Sequence, residues 1–327
     1  MKKIAIIGAG ISGLSLARIL GSDYNITIFD KSRGVGGRVA TRRASPYSFD
    51  HGAQFFTVRS KEFKSFLRPM LDLDVVTEWN ARFAEFNKDT ILRTIVWDNE
   101  HPHYVGNPNM NSIGKYLKEG LNIRLESKVA KTIFNNNTWS LFSDNNDSLG
   151  NFDWVVSTMP AMQSYDLFKG NVEFSNFLSK VKMKPCYSLM LGFDKVLPLD
   201  FDAALIKGKD ISWIFVNSNK PGRSKDYCLM VHSTNDWADK NSNLDSKEVI
   251  DYMCNEVKFV LGFNVNNAVH KDVHFWRYAN IGNQTGESYL LDEKRNIALC
   301  GDWFIQGRIE AAFLSANRLA KHLVKIL

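Results

Sequence analysis

Cysteine is scarce in this chain, with four in 327 residues, and none of Cys186, Cys228, Cys254 and Cys300 lies in a Cys-x-x-Cys spacing. That excludes a zinc knuckle or a dithiol redox centre and reads as reduced core thiols of a cytoplasmic protein. Runs of five or six like charges are also missing, and the net charge of +6 is scattered along the chain. No nucleic-acid face is therefore expected, and the basic balance reads mainly as solvated surface, with weak attraction of a phosphate-bearing substrate as the alternative. No long clean apolar run exists either. Ile4 to Leu20 is interrupted by Gly8, Gly10, Gly13 and Arg18, so no membrane span is expected. A first strand starting at Lys3 leaves no room for a signal peptide, and the sequon Asn283-Gln284-Thr285 carries no weight. Gly-x-Ser-x-Gly and His-Glu-x-x-His are absent, which removes the basis for hydrolase chemistry. His270 and His274 are four apart in a segment that reads as strand, so no metal is expected there.

What remains is a chain with 44% hydrophobic and 12% aromatic residues, ample for a packed core and long enough for two domains. Three distant stretches ask for one ligand. Lys3 to Gly13 reads KIAIIGAGISG, Arg33 to Arg43 reads RGVGGRVATRR, and Ala298 to Phe304 reads ALCGDWF. In the first, Ile4 to Ile7 has the composition of a strand buried on both faces. Gly8 suits a tight turn, Gly10 lets a pyrophosphate approach the backbone, and Gly13 lets the helix through Leu20 pack close to the strand. Its N-terminal amides favour phosphate. Ile26 to Phe29 forms the next strand, and Asp30 stands about twenty residues after Gly10, where a carboxylate binds a ribose hydroxyl. A bare glycine fingerprint serves NAD, NADP and FAD alike. The Gly36-Gly37-Arg38 loop after the second strand, and the return of the C-terminus to the same ligand, make FAD the best single explanation.

Further along, Lys61 to Leu71 reads as a helix, Ala81 to Trp97 as strands, and Asn111 to Lys118 as a helix. Ile123 to Leu125, Val129 to Phe134, Thr138 to Phe142 and Trp154 to Thr158 read as strands. Beyond about Tyr165 come Ser188 to Phe193, Ile211 to Asn217, Tyr227 to Ser233 and Val273 to Tyr278, strand-like and interrupted by one amphipathic helix, Ser246 to Leu261. Its inward face is Val249, Ile250, Met253, Val257, Val260 and Leu261. Asn296 to Leu299 returns to parallel-strand composition before a helix from Ile309 to Leu327. His101-Pro102-His103 reads as a turn. The expected architecture is α/β, a discontinuous Rossmann-like FAD-binding domain (1–58, 104–165 and 286–327) with a mostly antiparallel α+β substrate domain (59–103 and 166–285).

GAGISG, GVGGR, FDHGAQFFTVR and CGDWFIQGRIEAAFLSA, with VVSTMP and HFWRYAN between them, resemble the renalase-like branch of the flavin-dependent amine oxidase superfamily. The resemblance implies a two-domain fold like p-hydroxybenzoate hydroxylase, non-covalent FAD and an oxidase reaction. By motif it places Gly8, Gly10, Ser12 and Gly13 on the pyrophosphate, Asp30 with neighbouring Lys31 on the adenosine ribose, and Val129 on the adenine. Arg38, after Gly36 and Gly37, would pair with the phosphates. Gln54 and Phe55 would touch the isoalloxazine, Gly301 and Asp302 the ribityl or phosphate region, and the helix starting near Arg308 would aim its positive end at the flavin pyrimidine. Asp30 departs from the glutamate common at that position, one methylene longer.

The resemblance further implies a dihydronicotinamide dinucleotide isomer as hydride donor to flavin N5, giving NAD(P)+ and, with oxygen, hydrogen peroxide. An amine oxidase is the alternative, for which the superfamily uses an aromatic cage and often a lysine-anchored water; no lysine is assignable from sequence. A non-enzymatic binding protein on the same fold is the alternative of another class. Candidates for the substrate face are His51, Gln54, Phe56, Trp276 and Tyr278, with Trp213 and Trp97 as options. Each also has a plain structural reading: His51 beside Asp50 as an oriented histidine, Trp276 and Tyr278 as core on one strand face. Arg42 and Arg43 could meet phosphates of either dinucleotide or form a solvated loop.

Overall fold

The computed structural model describes residues 1–98, 100–170, 172–282 and 286–327; the sequon at 283–285 lies outside them. The β-branched run at the N-terminus becomes the strand Lys3–Ile7, with a parallel neighbour on each side, Asn25–Phe29 and Trp154–Ser157. Ile123–Arg124 extends the sheet parallel beyond Asn25–Phe29, Ile297–Leu299 parallel beyond Trp154–Ser157, and Leu290–Asp292 closes that edge antiparallel. Successive side chains of Lys3–Ile7 point to opposite faces. Ile4 and Ile6 pack with the helices Ile11–Leu20 and Ile309–Ile326, while Ala5 and Ile7 pack with Trp139 and Leu141 on the other side. This explains why the run is apolar throughout rather than alternating.

Trp139 and Leu141 belong to a meander, Lys131–Asn135, Thr138–Phe142 and Ser148–Phe152, that crosses the back of the sheet. Its first turn uses Asn136 and Asn137, both at positive φ (48° and 58°), as a primed hairpin requires. The strand expected from Val129 starts at Lys131, leaving Val129 just ahead of it.

A second, seven-stranded sheet has the order His270–Ile281, Met183–Gly192, Cys228–Ser233, Ile211–Val216, Ala203–Lys207, Arg82–Asn87, Thr90–Val96. All its pairings are antiparallel except Ala203–Lys207 with Arg82–Asn87. One face is covered by Ser246–Leu261, a helix with an Asp245–Glu248 capping box and Gly262 in the left-handed region after its last turn. Val249, Met253, Val257 and Val260 are buried there, each contributing about 1.5–3 kcal/mol, while Ile250 and Leu261 are partly buried against them. The opposite face looks onto a cavity.

A hairpin (Arg42–Ala44 with Tyr47–Phe49) and a small sheet (Phe56–Thr57, His103–Gly106, Val76–Glu78) join the two large sheets. His103 therefore begins a strand, where a turn was expected, because it pairs with Thr57 and its ring stacks on Trp97 at 3.8 Å between centroids. All four cysteines are buried and unbridged, and burial pushes the thiols of Cys186 and Cys228 up to about 12, so they stay protonated. Among the described residues, no helix is long and apolar enough to cross a membrane, and no group of three His, Cys, Asp or Glu could hold a metal ion.

Candidate cofactor and substrate site

A cavity of about 1700 Å³ separates the C-terminal end of Lys3–Ile7 from the free face of the second sheet. Ligand pockets are typically about 300–1,000 Å³, so this one has room for a dinucleotide and a second molecule. On its first wall, Gly8 turns the chain at φ 114°, where a Cβ would stand 2.6 Å from Thr158 Oγ1. At Gly13 a Cβ would fall 2.0 Å from the Gly8 carbonyl oxygen, so only glycine lets the helix start this close to the turn. Gly36 N donates to the Ala9 carbonyl at 2.8 Å and its backbone bridges Gly10, which brings the second glycine stretch onto the first. The Arg38 guanidinium is ion-paired with Asp302 and donates to the Ala279 carbonyl at 3.0 Å. The three stretches singled out in the sequence thus meet on one wall.

The remaining cofactor candidates are arranged as follows. Asp30 accepts from Ala9 N at 2.7 Å and Ser32 N at 2.8 Å, which holds its carboxylate against the turn. Lys31, Gly37, Val129, Gln54, Phe55 and Arg308 also line the cavity. The Ser12 hydroxyl lines the cavity but donates to the Ala312 carbonyl at 2.9 Å, tying the first helix to the last. Gly301 lies one layer back, its N–H donating to Ser315 Oγ. Glu310, in the first turn of the last helix, accepts from Arg59 N, Ser60 N and Ser60 Oγ, so its charge is consumed in holding the 59–60 corner. Close backbone approach, cations, a carboxylate and helix termini fit an extended dinucleotide.

The second wall is set by strand register. Ser188 stands opposite His274 on one neighbour and His232 on the other, and His232 stands opposite Trp213, so one row crosses four strands. Above the row, His51 stacks on Trp276 at 5.2 Å, meets His274 edge-on at 5.0 Å, and its carbonyl accepts from Trp276 Nε1 at 2.7 Å. Burial, then His274 and Arg42, push the His51 ring down to about 4; burial, Lys220 and His51 push His232 down to about 3. His274 is also lowered, by burial and Arg42. The three rings are therefore neutral near pH 7. Ser188 Oγ and His51 Nδ1 are buried with no hydrogen-bond partner in the protein, the state in which a ligand or water is called for.

Behind this wall lies a buried polar cluster. Asp50 is fully buried and accepts from Thr41 Oγ1 at 2.7 Å, Met110 N at 3.0 Å, Arg223 at 2.6 Å and Lys220 at 3.4 Å. Lys220 and Arg223 hold its carboxyl low against the opposing effect of burial. Because its oxygens are committed, Asp50 does not orient the His51 ring. Lys220 also donates to Gln54 Oε1 at 2.8 Å and Asn217 Oδ1 at 3.0 Å, beside the faces of Trp79 and Phe215.

Of the substrate-face candidates, His51, Gln54, Trp276, Tyr278 and Trp213 line the cavity together. Phe56 reaches the wall, but its ring packs between Tyr104 and Phe63 in the core. Trp97 is a layer back, sandwiched against His103 behind Phe55. Arg42 lines the cavity, ion-paired with Asp272 and donating to His274 Nδ1; Arg43 is exposed at the rim. Sequence reasoning missed Ser188, His232, Lys220 and Arg223. A polar residue within an apolar strand, as in SLML and LMVHS, was a usable signal for the first two. The loop NSNKPGR carries none for the others.

Comparisons with known proteins agree with this geometry. Residues 6–69 match the NAD(P)-binding Rossmann-like domain, and 88–324 match the flavin containing amine oxidoreductase family. Over 51 residues the chain is 45% identical to a 4,4'-diapophytoene desaturase (4,4'-diaponeurosporene-forming) of Staphylococcus aureus strain Newman. That match spans 15% of this chain and only 10% of the desaturase. A candidate protoporphyrinogen oxidase from Exiguobacterium sp. 255-15 superposes with TM-score 0.81 at 12% identity, covering 100% of this chain and 99% of that one. An A394C mutant of putrescine oxidase superposes with TM-score 0.74 at 10% identity, with 100% and 99% covered. At these identities the solved structures establish the fold alone. With the family model spanning most of its length, the chain belongs to the flavin containing amine oxidoreductase family, and its cofactor is FAD.

Proposed function

We propose that the protein is an FAD-dependent oxidase with renalase-like specificity, oxidising a dihydronicotinamide dinucleotide isomer to NAD(P)+. The observation that carries this is the charge of the cavity wall. Among the described residues lining it, the acidic side chains are Asp30, Asp302 and Glu310, all from the cofactor half and all hydrogen-bonded or ion-paired. The substrate wall offers neutral imidazoles, indoles and serines, with Arg42 at its edge ion-paired to Asp272. An alkylammonium would find no unpaired carboxylate there, whereas a planar neutral ring suits it.

When bound, FAD would supply the hydride acceptor, with oxygen as the final oxidant and hydrogen peroxide as its product. A dihydronicotinamide gives its hydride without first losing a proton, so no base is needed. That agrees with a wall whose histidines are held neutral by burial and are weak bases. Trp276, braced by His51, and Trp213 would hold the ring; Arg38 would hold the cofactor's phosphates, and Asp30 its ribose. In this reading 1–58, 104–165 and 286–327 carry the cofactor, the rest carries the substrate, and the protein works in the cytoplasm. The family model favours an amine as the alternative donor. Against it, among the described residues the lysines lining the cavity are Lys31 and Lys128, both on the cofactor half, leaving none lining the substrate wall to anchor a water. Anaerobic stopped-flow mixing decides: dihydronicotinamide isomers should bleach the flavin within seconds and alkylamines should not. Bleaching by amines alone overturns the proposal, and a colourless protein that refuses FAD would make it a binding protein.

A further inference from the structure

We propose that Lys220 is a positioning residue that, acting through Gln54, holds His232 in the tautomer protonated at Nδ1. The Lys220 side chain is fully buried and its ammonium only donates, so the Gln54 side-chain oxygen 2.8 Å away must be turned toward it. Asn217 Oδ1, at 3.0 Å from the same nitrogen, and Asp50 Oδ2, at 3.4 Å, prevent the ammonium from swinging off. With the oxygen turned inward, the two hydrogens of the Gln54 NH2 group are shared among the Asp50 carbonyl, the Gly52 carbonyl at 3.1 Å and His232 Nε2 at 3.3 Å, and the two carbonyls favour the same orientation that Lys220 does. An amide NH2 has no lone pair to offer. A proton on His232 Nε2 would face amide hydrogens, so that nitrogen is the bare acceptor and the neutral ring carries its proton on Nδ1.

His232 lines the cavity beside Ser188, so its tautomer decides which ring nitrogen serves as donor and which as acceptor. Lys220 itself does not line the cavity, and its influence passes entirely through the Gln54 amide. The rest of the cluster makes the lysine separable from the fold. Asp50 keeps Arg223 at 2.6 Å, Thr41 and the Met110 amide when Lys220 is replaced, so no buried charge is left unpaired. Methionine matches the lysine stem and would sit against Trp79 and Phe215. The inference holds for either class of hydride donor, because no substrate enters it.

Ring-nitrogen NMR of the FAD-loaded, isotope-labelled protein tests it, with the His232 resonances assigned by their loss in His232→Phe. The wild type should show two-bond correlations of an Nδ1-protonated imidazole. In Lys220→Met the Gln54 oxygen loses its charged donor while the Asp50 and Gly52 carbonyls still attract the NH2 group, so the Nδ1-protonated pattern should give way in part to an averaged one. Lys220→Gln, which keeps an N–H donor without the charge, should restore the wild-type pattern. Gln54→Leu, which removes the amide, should release the ring even if Lys220→Met fails to fold. Wild-type His232 protonated at Nε2 overturns the proposal, as does a folded Lys220→Met or Gln54→Leu with an unchanged spectrum.

Discussion

Replacing His51 by phenylalanine should flatten the acid limb of the stability profile. His51 is 8% exposed and its ring is pushed down to about 4, first by burial and then by His274 and Arg42. In the unfolded chain it titrates near 6.5, so below that pH the unfolded state binds a proton that the native state refuses. The folded pKa is depressed, so the stabilisation from keeping the ring neutral is present above about 6.5 and is lost as pH falls toward 4. At pH 5 the gap spans about 1.5 units of its full range, and at about 1.36 kcal/mol per unit this is about 2 kcal/mol of lost stability, against almost none at pH 7.5. Phenylalanine keeps an aromatic face for Trp276 but titrates nothing. Urea unfolding of wild type and His51→Phe at both pH values gives four free energies. Their double difference should be about 2 kcal/mol, with the wild type losing more on acidification, and other groups such as His232 and Asp50 cancel. A double difference below about 0.5 kcal/mol would refute the view that burial keeps this imidazole neutral.

Other expectations concern the cofactor and the substrate wall. Gly13→Ala places a methyl 2.0 Å from the Gly8 carbonyl oxygen; the backbone must move, costing about 1–3 kcal/mol, and FAD affinity should fall about tenfold or more in a fluorescence titration. Arg38→Met leaves Asp302 without its cation beside the proposed phosphate site, and loss of a charge-assisted contact of about 1.5–3 kcal/mol should weaken FAD binding roughly ten- to hundredfold with the far-ultraviolet dichroism unchanged. Trp276→Ala removes the face stacked on His51, and the concentration dependence of flavin bleaching should shift about tenfold while FAD affinity stays within about twofold.

The dinucleotide half was legible because its requirements are local. A turn that tolerates no Cβ demands glycine at Gly8 and Gly13 wherever the rest of the chain goes, and a strand buried on both faces must be apolar without alternation, as Ile4 to Ile7 is. The helix Ser246–Leu261 announced itself by its periodic apolar face; its capping box and Gly262 emerged with the structure. The convergence of Gly10, Gly36, Arg38 and Asp302 followed from a single ligand explaining all of them. His103 was misread because Pro102 signals a turn locally, whereas pairing with Thr57 and stacking on Trp97 are contacts that only folding supplies. The substrate wall was hidden for the same reason. Ser188, His232 and His274 share a row through strand register, and register is set by pairing between segments dozens of residues apart. Lys220 sits in a polar loop indistinguishable from surface, and only the closure of that loop over Asp50 and Gln54 turned a solvated cation into a buried one.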